Sequence, residues 1–197
     1  MIEEINCRRS IRKFKAEPVS DEMILQLVEA GRMAPSAKNR QPWKYIVYKN
    51  EPKNELLDAM RKGIEREETK QVLLPGSAFG LMDAKNTLRI MQEASAVMMV
   101  ENPDGASPFA PLNVDERFKE ICDNLSIGAS IENILLEGVS LGLGTLWIAN
   151  TCFAYPELME FCKFSGQLIG AIAVGYPAEN PAQRPRKPIQ DIIEFRQ

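Results

Sequence analysis

Residues 121–149, ICDNLSIGASIENILLEGVSLGLGTLWIA, form the longest largely apolar stretch of the chain. Their pattern predicts a helix over Ile121–Leu141, because apolar residues recur there at helical spacing. Gly142 and Gly144 can end this helix in a left-handed cap, and Thr145–Ala149 then has the composition of a strand. We expect the helix to be buried in the centre of the molecule, with an apolar stripe formed by Leu125, Ala129, Ile131, Ile134, Leu135 and Val139.

The segments on either side alternate irregularly between helix and strand. Ser20 is a suitable N-cap for a helix over Asp21–Ala34, and a strand over Trp43–Tyr48 follows the loop Ser36–Pro42. Similar patterns predict helices from about Lys53 to Lys62 and from Pro156 to about Cys162, and buried strands over Ala94–Val100 and Ile169–Pro177. Because regular βαβ spacing is absent, the sequence predicts an α+β fold in one domain, residues 1–197.

Three segments are less clearly patterned. Glu65–Asn86 mixes charged residues with Pro75 and Gly76 and shows no clean period. Asn102–Leu112 is rich in turn formers, so we expect an exposed loop that could cover a site. Ile189–Phe195 is expected to form a short helix or strand.

The composition argues against nucleic acid and membrane partners. The chain carries a formal net charge of −3 and its basic residues are scattered, which is not the pattern of a nucleic-acid-binding surface. No apolar stretch approaches the roughly 18 residues that a membrane span requires. Met1–Glu4 is acidic where a signal peptide would be basic. We therefore expect a cytoplasmic protein.

The chain has no histidine and four widely spaced cysteines, Cys7, Cys122, Cys152 and Cys162. A Ser-His-Asp or Cys-His nucleophile and a histidine-ligated metal site are therefore excluded. The cysteines form no C-x-x-C pair and are expected to be separate thiols. If the chain is an enzyme, we expect a cofactor to supply the reactivity.

Two groups of arginines lie at opposite ends of the chain. Residues 8–12, RRSIR, place three guanidinium groups and the hydroxyl of Ser10 close together, and Arg184 and Arg186 lie between prolines. Guanidinium groups match phosphate oxygens, so the two groups could converge on one phosphate. The alternative is a solvated basic helix at the N-terminus.

A polar loop follows the first long helix. Residues 34–43, APSAKNRQPW, contain two prolines and the side-chain amides of Asn39 and Gln41. Such amides can bind the carbonyls and ring nitrogens of a heteroaromatic ligand, although a plain helix-to-strand connection has a similar composition. The spacing of Gly138, Gly142 and Gly144 is not that of a Rossmann fingerprint. These glycines fit a helix cap with close packing at least as well as a cofactor-binding motif.

Taken together, these segments resemble the nitroreductase family. Residues 8–14, RRSIRKF, are similar to the family's opening motif, residues 34–43 to its second block, and residues 142–147, GLGTLW, to its third. The likeness continues through Ala173–Pro177 and the Arg184-Pro185-Arg186 ending. It covers nearly the whole chain in the right order.

The resemblance implies a mixed, mostly antiparallel sheet packed between helices, in an intertwined homodimer with two FMN sites at the subunit interface. The implied ligands of the FMN phosphate are Arg8, Arg9, Ser10, Arg184 and Arg186. Arg12 would reach the pyrimidine edge of the flavin. The other subunit would contribute Pro35, Ser36, Ala37 and Asn39.

Four further flavin contacts are implied by the resemblance. Trp147, Ile148 and Ala149 would lie along the ring, and Asn86 matches a family asparagine that contacts the flavin. The family often carries an acidic residue near position 149. This chain has Ala149 there, so only a backbone contact is implied.

The implied mechanism is a two-step exchange. NADH or NADPH gives hydride to flavin N5 and leaves, and a small-molecule acceptor such as a nitroaromatic, a quinone or a free flavin then takes its place. Arg12 is the catalytic candidate, because negative charge develops at the pyrimidine edge. Two alternatives remain: a specialised flavoenzyme of the same fold (dehalogenase, dehydrogenase or ene-reductase) and a flavin-binding sensor or carrier without turnover.

Overall fold

The computed structural model describes residues 1–69 and 72–196, in which the chain forms six α-helices and four β-strands. The helices are α1 (Glu3–Cys7), α2 (Asp21–Arg32), α3 (Asn50–Glu68), α4 (Leu81–Glu93), α5 (Val114–Ser140) and α6 (Tyr155–Cys162). The strands are β1 (Lys44–Lys49), β2 (Ala96–Asn102), β3 (Gly144–Ile148) and β4 (Gln167–Gly175). Within the same two ranges, no helix is both long and apolar enough to cross a membrane.

The four strands form one sheet in the order β1-β2-β4-β3, and each neighbouring pair is antiparallel. On the central strand β2, Met99 pairs with Ile46 on one side and with Ala171 on the other. A parallel bridge joins Ser10 to Thr145 of the edge strand β3. The predicted α+β class and the mostly antiparallel sheet are confirmed.

Helices cover both faces of the sheet. The strand β2 is buried throughout, and its side chains alternate between the two faces. Val97 and Met99 pack into a core formed with α3, α4 and α6. Ala96, Met98 and Val100 pack into a second core formed with α2 and α5. The sheet is therefore the middle layer of three, as predicted.

The helix α5 begins at Val114, well before the predicted Ile121. The side chain of Asn113 accepts the backbone N–H of Glu116 at 3.0 Å, and the Glu116 carboxylate accepts the backbone N–H of Asn113 at 2.8 Å. This reciprocal capping box satisfies the first free amides of the helix. At the other end Gly142 has φ of 70°, which confirms the predicted left-handed cap.

The buried apolar face of α5 lies in its C-terminal half. Ile127, Ile131 and Ile134 are fully buried against α2 and the sheet. Leu125, predicted to belong to this face, is 71% exposed. That part of the prediction is wrong for the single chain, since the N-terminal half of α5 extends past the sheet-facing core.

The remaining predictions differ from the structure mainly in the charged segments. The strands lie within two residues of their predicted bounds, but α3 extends at both ends beyond Lys53–Lys62. Glu65–Asn86 contains the end of α3, a 3₁₀ helix at Pro75–Gly80 and the start of α4, whereas Lys70 and Gln71 lie outside the described residues. In Ile189–Phe195 the structure forms only a 3₁₀ turn at Ile189–Asp191.

The loop between β2 and α5, predicted from the turn formers of Asn102–Leu112, is confirmed as a loop. Phe109 packs edge-on against Tyr155 with 5.6 Å between the ring centroids. The Lys119 ammonium donates to the carbonyl of Asp104 at 3.1 Å. The loop is thus anchored to α6 and α5.

A close contact at Gly144 makes its substitution a test of the packing beneath the N-terminal arginines. A Cβ built on Gly144 would lie 2.9 Å from Cγ2 of Ile11, which is buried. Gly144→Ala is expected to lower the free energy of unfolding, measured by urea titration, by about 1 kcal/mol, because overpacking a core forces side chains to shift. Gly76→Ala is the control, since nothing lies within 4 Å of its Cβ position. Equal stability of the two variants would contradict the contact.

Candidate functional site

The N-terminal arginines lie on an extended segment that is hydrogen-bonded to the sheet. The Ile11 N–H donates to the Thr145 carbonyl at 3.0 Å, and the Lys15 N–H donates to the Tyr176 carbonyl at 2.9 Å. Ile11 and Phe14 are buried, whereas Arg12 between them is exposed. Because α1 ends at Cys7, the alternative of a basic N-terminal helix is wrong for the arginines.

The two ends of the chain meet at one cavity of about 130 Å³, here called the arginine cavity. Gln183 and Pro181 contribute to its wall. The predicted residues that line it are Arg8, Arg9, Ser10, Arg12, Arg184 and Arg186. The structure therefore brings all six predicted residues of the two basic groups together.

Arg8 is held by charge and Arg9 by backbone carbonyls. The Arg8 Nε lies 3.2 Å from Oε1 of Glu132 on α5, and the Arg8 side chain is only 21% exposed. The Arg9 Nη1 donates to the carbonyls of Asn6 and Arg8, each at 2.8 Å. These contacts restrict both side chains before any ligand is bound.

Arg12 and Arg186 are restrained mainly through the backbone. The backbone N–H of Arg12 donates to Oε1 of Glu179 at 2.5 Å. The Arg12 Nη1 donates to the Ser10 carbonyl at 3.1 Å. The Arg186 Nη1 donates to the Arg184 carbonyl at 3.0 Å. Over residues 1–69 and 72–196, no carboxylate lies within ion-pair distance of the guanidinium groups of Arg9, Arg12, Arg184 or Arg186. The arginine cavity is therefore lined by four guanidinium groups that form no ion pair within these ranges.

A second cavity of about 440 Å³ adjoins the arginine cavity, because Arg12 and Arg184 line both. We call it the adjoining cavity. One wall is the end of β3 and the two residues after it, and the other is α4. The predicted residues Asn86, Trp147, Ile148 and Ala149 all line it.

The adjoining cavity also contains polar residues that the sequence analysis missed. Asp83 and Thr87 come from α4, and Asn150 follows β3. The Asn150 Nδ2 donates to the Thr87 Oγ1 at 2.9 Å, while its Oδ1 is buried and has no hydrogen-bond partner among the described residues. No sequence signal marked these side chains, since α4 itself was not predicted.

The loop of residues 34–43 lies elsewhere on the chain. Pro35, Ser36, Ala37 and Asn39 line neither the arginine cavity nor the adjoining cavity. Lys38, Asn39 and Gln41 all have left-handed backbones, with φ of 54°, 53° and 50°. One chain thus assembles the predicted arginines and the β3 residues, but not this predicted loop, into one site.

The partly buried Cys152 and the buried Cys162 are not activated. Cys152 follows Asn150 in a 3₁₀ helix, and burial raises the pKa of its thiol. Burial likewise raises the pKa of Cys162 to about 11. Both thiols therefore stay protonated near neutral pH, and neither offers a thiolate nucleophile.

Several relatives match this chain nearly from end to end. The NADPH-flavin oxidoreductase of Vibrio harveyi is 28% identical over 200 residues, which cover 100% of this chain and 73% of that protein. A BluB-like flavoprotein from Clostridium difficile 630 has a TM-score of 0.81 at 29% identity, covering 99% of this chain and 98% of that one. A chain from Desulfovibrio desulfuricans, solved in complex with FMN, has a TM-score of 0.70 at 25% identity, covering 99% and 95%.

The family match also covers most of the chain. The model of the nitroreductase family matches residues 5–176, which include the N-terminal arginine segment and all four strands. Arg184 and Arg186 lie beyond the matched range. Because the match spans most of its residues, this chain belongs to the nitroreductase family.

Proposed function

We propose that this chain is a flavoenzyme that holds one FMN and passes hydride from NADH or NADPH to a small-molecule acceptor such as a nitroaromatic or a quinone. The observation that carries the proposal is the junction of the two cavities at Arg12 and Arg184. A ligand with a phosphate at one end and a flat polar ring at the other would be chemically complementary to this pair of cavities.

The relatives support the same cofactor. The Desulfovibrio desulfuricans chain was solved with FMN, and the Clostridium difficile protein is named as a flavoprotein. The Vibrio harveyi relative is named for both NADPH and flavin. FMN and a nicotinamide donor are therefore the reactants that we assign to this chain.

The donors of the arginine cavity fit a dianionic phosphate. Arg9, Arg184 and Arg186 form no ion pair within the described ranges, and Ser10 adds a small hydroxyl donor. Arg8 contributes a further guanidinium held in place by Glu132. Charge-assisted hydrogen bonds of this kind are about twice as strong as neutral ones. We assign the phosphate to this cavity.

When bound, FMN would supply the redox chemistry, the transfer of reducing equivalents from NAD(P)H to an acceptor. Arg12 is the residue that we assign to catalysis. Its guanidinium is permanently charged and lines both cavities, so it can stabilise negative charge at the pyrimidine edge. Trp147 and Ile148 form the wall against which the ring would be oriented.

We further propose that the active form is a homodimer. Apolar side chains that are exposed in the single chain recur along one side of α5 at spacings of three and four residues: Val114, Phe118, Ile121 and Leu125. The C-terminal segment exposes another set, Ile189, Ile192, Ile193 and Phe195. An apolar surface of this extent is typical of an interface, and a second copy would bring residues 35–39 to a flavin.

The purified protein is expected to be yellow and to retain FMN through chromatography, because the phosphate would be held by several arginines at once. The visible absorbance spectrum and the flavin released on heat denaturation check this. Colourless protein that takes up no added FMN would contradict the proposed function.

Turnover is tested separately from binding. Under anaerobic conditions, the FMN-loaded protein is expected to consume NADH or NADPH when a nitroaromatic or a quinone is present. Oxidation of either nicotinamide supports the proposed reaction. Bound FMN without oxidation of NADH or NADPH would favour a specialised flavoenzyme or a flavin carrier instead.

A further inference from the structure

The loop between α2 and β1 has an unusual backbone. Lys38, Asn39 and Gln41 are three non-glycine residues in the left-handed region within four positions. Each such residue costs free energy and persists only where surrounding contacts fix it. Within the loop itself, the Ser36 hydroxyl accepts the Gln41 N–H at 3.0 Å.

The strongest contact that fixes this loop comes from Asp123 on α5. Asp123 is 1% exposed, and its Oδ1 accepts the Nε of Arg40 at 2.8 Å while the Arg40 Nη2 lies 2.7 Å away. Its Oδ2 accepts the ammonium of Lys119 at 3.0 Å. Arg40 lies between two of the left-handed residues, so the buried carboxylate holds the loop where its backbone is least favourable.

A second contact holds the beginning of the loop. The Ala37 N–H donates to the Ser126 Oγ at 3.2 Å, and the Ser126 hydroxyl donates to the Cys122 carbonyl at 2.7 Å. Ser126 lies one turn after Asp123 on α5. Adjacent turns of one helix therefore hold both ends of the segment 37–40.

We propose that Asp123 is a positioning residue for the flavin site: through Arg40, it holds residues 36–41 in the conformation that presents Ser36, Ala37 and Asn39 to FMN bound at the dimer interface. This inference rests on the proposed function. A buried ion pair gives little net stability compared with apolar packing, which accords with a role in setting geometry. Asp123 itself lines neither the arginine cavity nor the adjoining cavity, so it acts through the loop.

The test compares Asp123→Asn with Glu157→Gln in the FMN-loaded protein. Glu157 is the matched control because its carboxylate also pairs with an arginine, Arg66, at 2.7 Å and lines neither cavity of the site. The thermal midpoint is expected to fall in both variants. The FMN dissociation constant of Asp123→Asn is expected to rise about tenfold and its flavin reduction potential to shift, because small misplacements of positioning groups have large effects. Glu157→Gln is expected to keep both values.

Asp123→Asn that binds FMN as tightly as Glu157→Gln, with the same potential, would overturn the positioning role. If Asp123→Asn does not fold, Ser126→Ala decides, since it removes only the Ala37 contact and the bond to Cys122. Weaker FMN binding by Ser126→Ala then supports the proposal, and unchanged binding overturns it. Failure of the parent protein to bind FMN at all would instead overturn the proposed function.

Discussion

Arg8→Ala and Arg186→Ala are each expected to weaken FMN binding about ten- to a hundredfold, because each removes one charge-assisted donor from the phosphate. The two residues lie at opposite ends of the chain and line the same cavity. If both contact one phosphate, their losses should be similar in size. Titration of FMN into the apo forms measures each dissociation constant.

Riboflavin separates phosphate recognition from damage to the fold. It lacks the phosphate, so it should bind Arg8→Ala, Arg186→Ala and the parent protein about equally well. Arg61→Ala is the matched control, since Arg61 is an exposed arginine on α3 paired with Asp58 and lines neither cavity. Unchanged FMN affinity in both variants would refute the phosphate assignment, whereas an equal loss for riboflavin would indicate that folding had been impaired.

Arg8→Ala carries one additional consequence. It leaves the carboxylate of Glu132 without its partner, but Glu132 is 46% exposed. Exposed ion pairs contribute about 0–1 kcal/mol, so the thermal midpoint should change little. A large drop for Arg8→Ala alone would mean that Arg8 mainly supports α5.

Elements with one strongly apolar face could be predicted from the sequence, and the others could not. The bounds of the strands could be predicted within two residues because each strand contains a short run of apolar, β-branched or aromatic residues. α4 was missed because two of its buried positions, Ala84 and Thr87, are small or polar and give little hydrophobic contrast. The end of α3 could not be predicted because Arg66 and Glu67 are charged, although Glu67 is buried and its Oε1 lies 2.6 Å from Nη1 of the partly buried Arg66.

The same distinction applies to the residues of the site: some could be predicted from the sequence and others could not. Arginines are informative in a sequence because their chemistry is specific, and all five arginines of the predicted site line one cavity. Asn150 and Thr87 were missed because an amide or a hydroxyl in a connection has many roles that need no ligand. They line the adjoining cavity because α4 packs beside β3. A local sequence pattern does not predict that packing.

Leu125→Asp is expected to convert the proposed homodimer into a monomer at micromolar concentration and, with it, to abolish tight FMN binding. Leu125 is 71% exposed in the single chain and continues the apolar series of Val114, Phe118 and Ile121 on α5. A charge without a partner is strongly disfavoured in an apolar interface, where truncating or opposing one central contact can cost about 2 kcal/mol or more. Light scattering reports the mass, and FMN titration reports the site.

Leu125→Met is the control for this prediction, because volume-conserving apolar exchanges are well tolerated. It should remain dimeric and yellow, so that the charge rather than the loss of leucine is responsible for any dissociation. The coupling between mass and FMN carries the most information, since residues 35–39 line neither cavity within one chain. A monomeric Leu125→Asp that binds FMN as tightly as the parent protein would show that one chain completes its own flavin site. A Leu125→Asp protein that remains dimeric would place the interface on another surface, with the exposed C-terminal segment around Ile192 and Phe195 as the next to test.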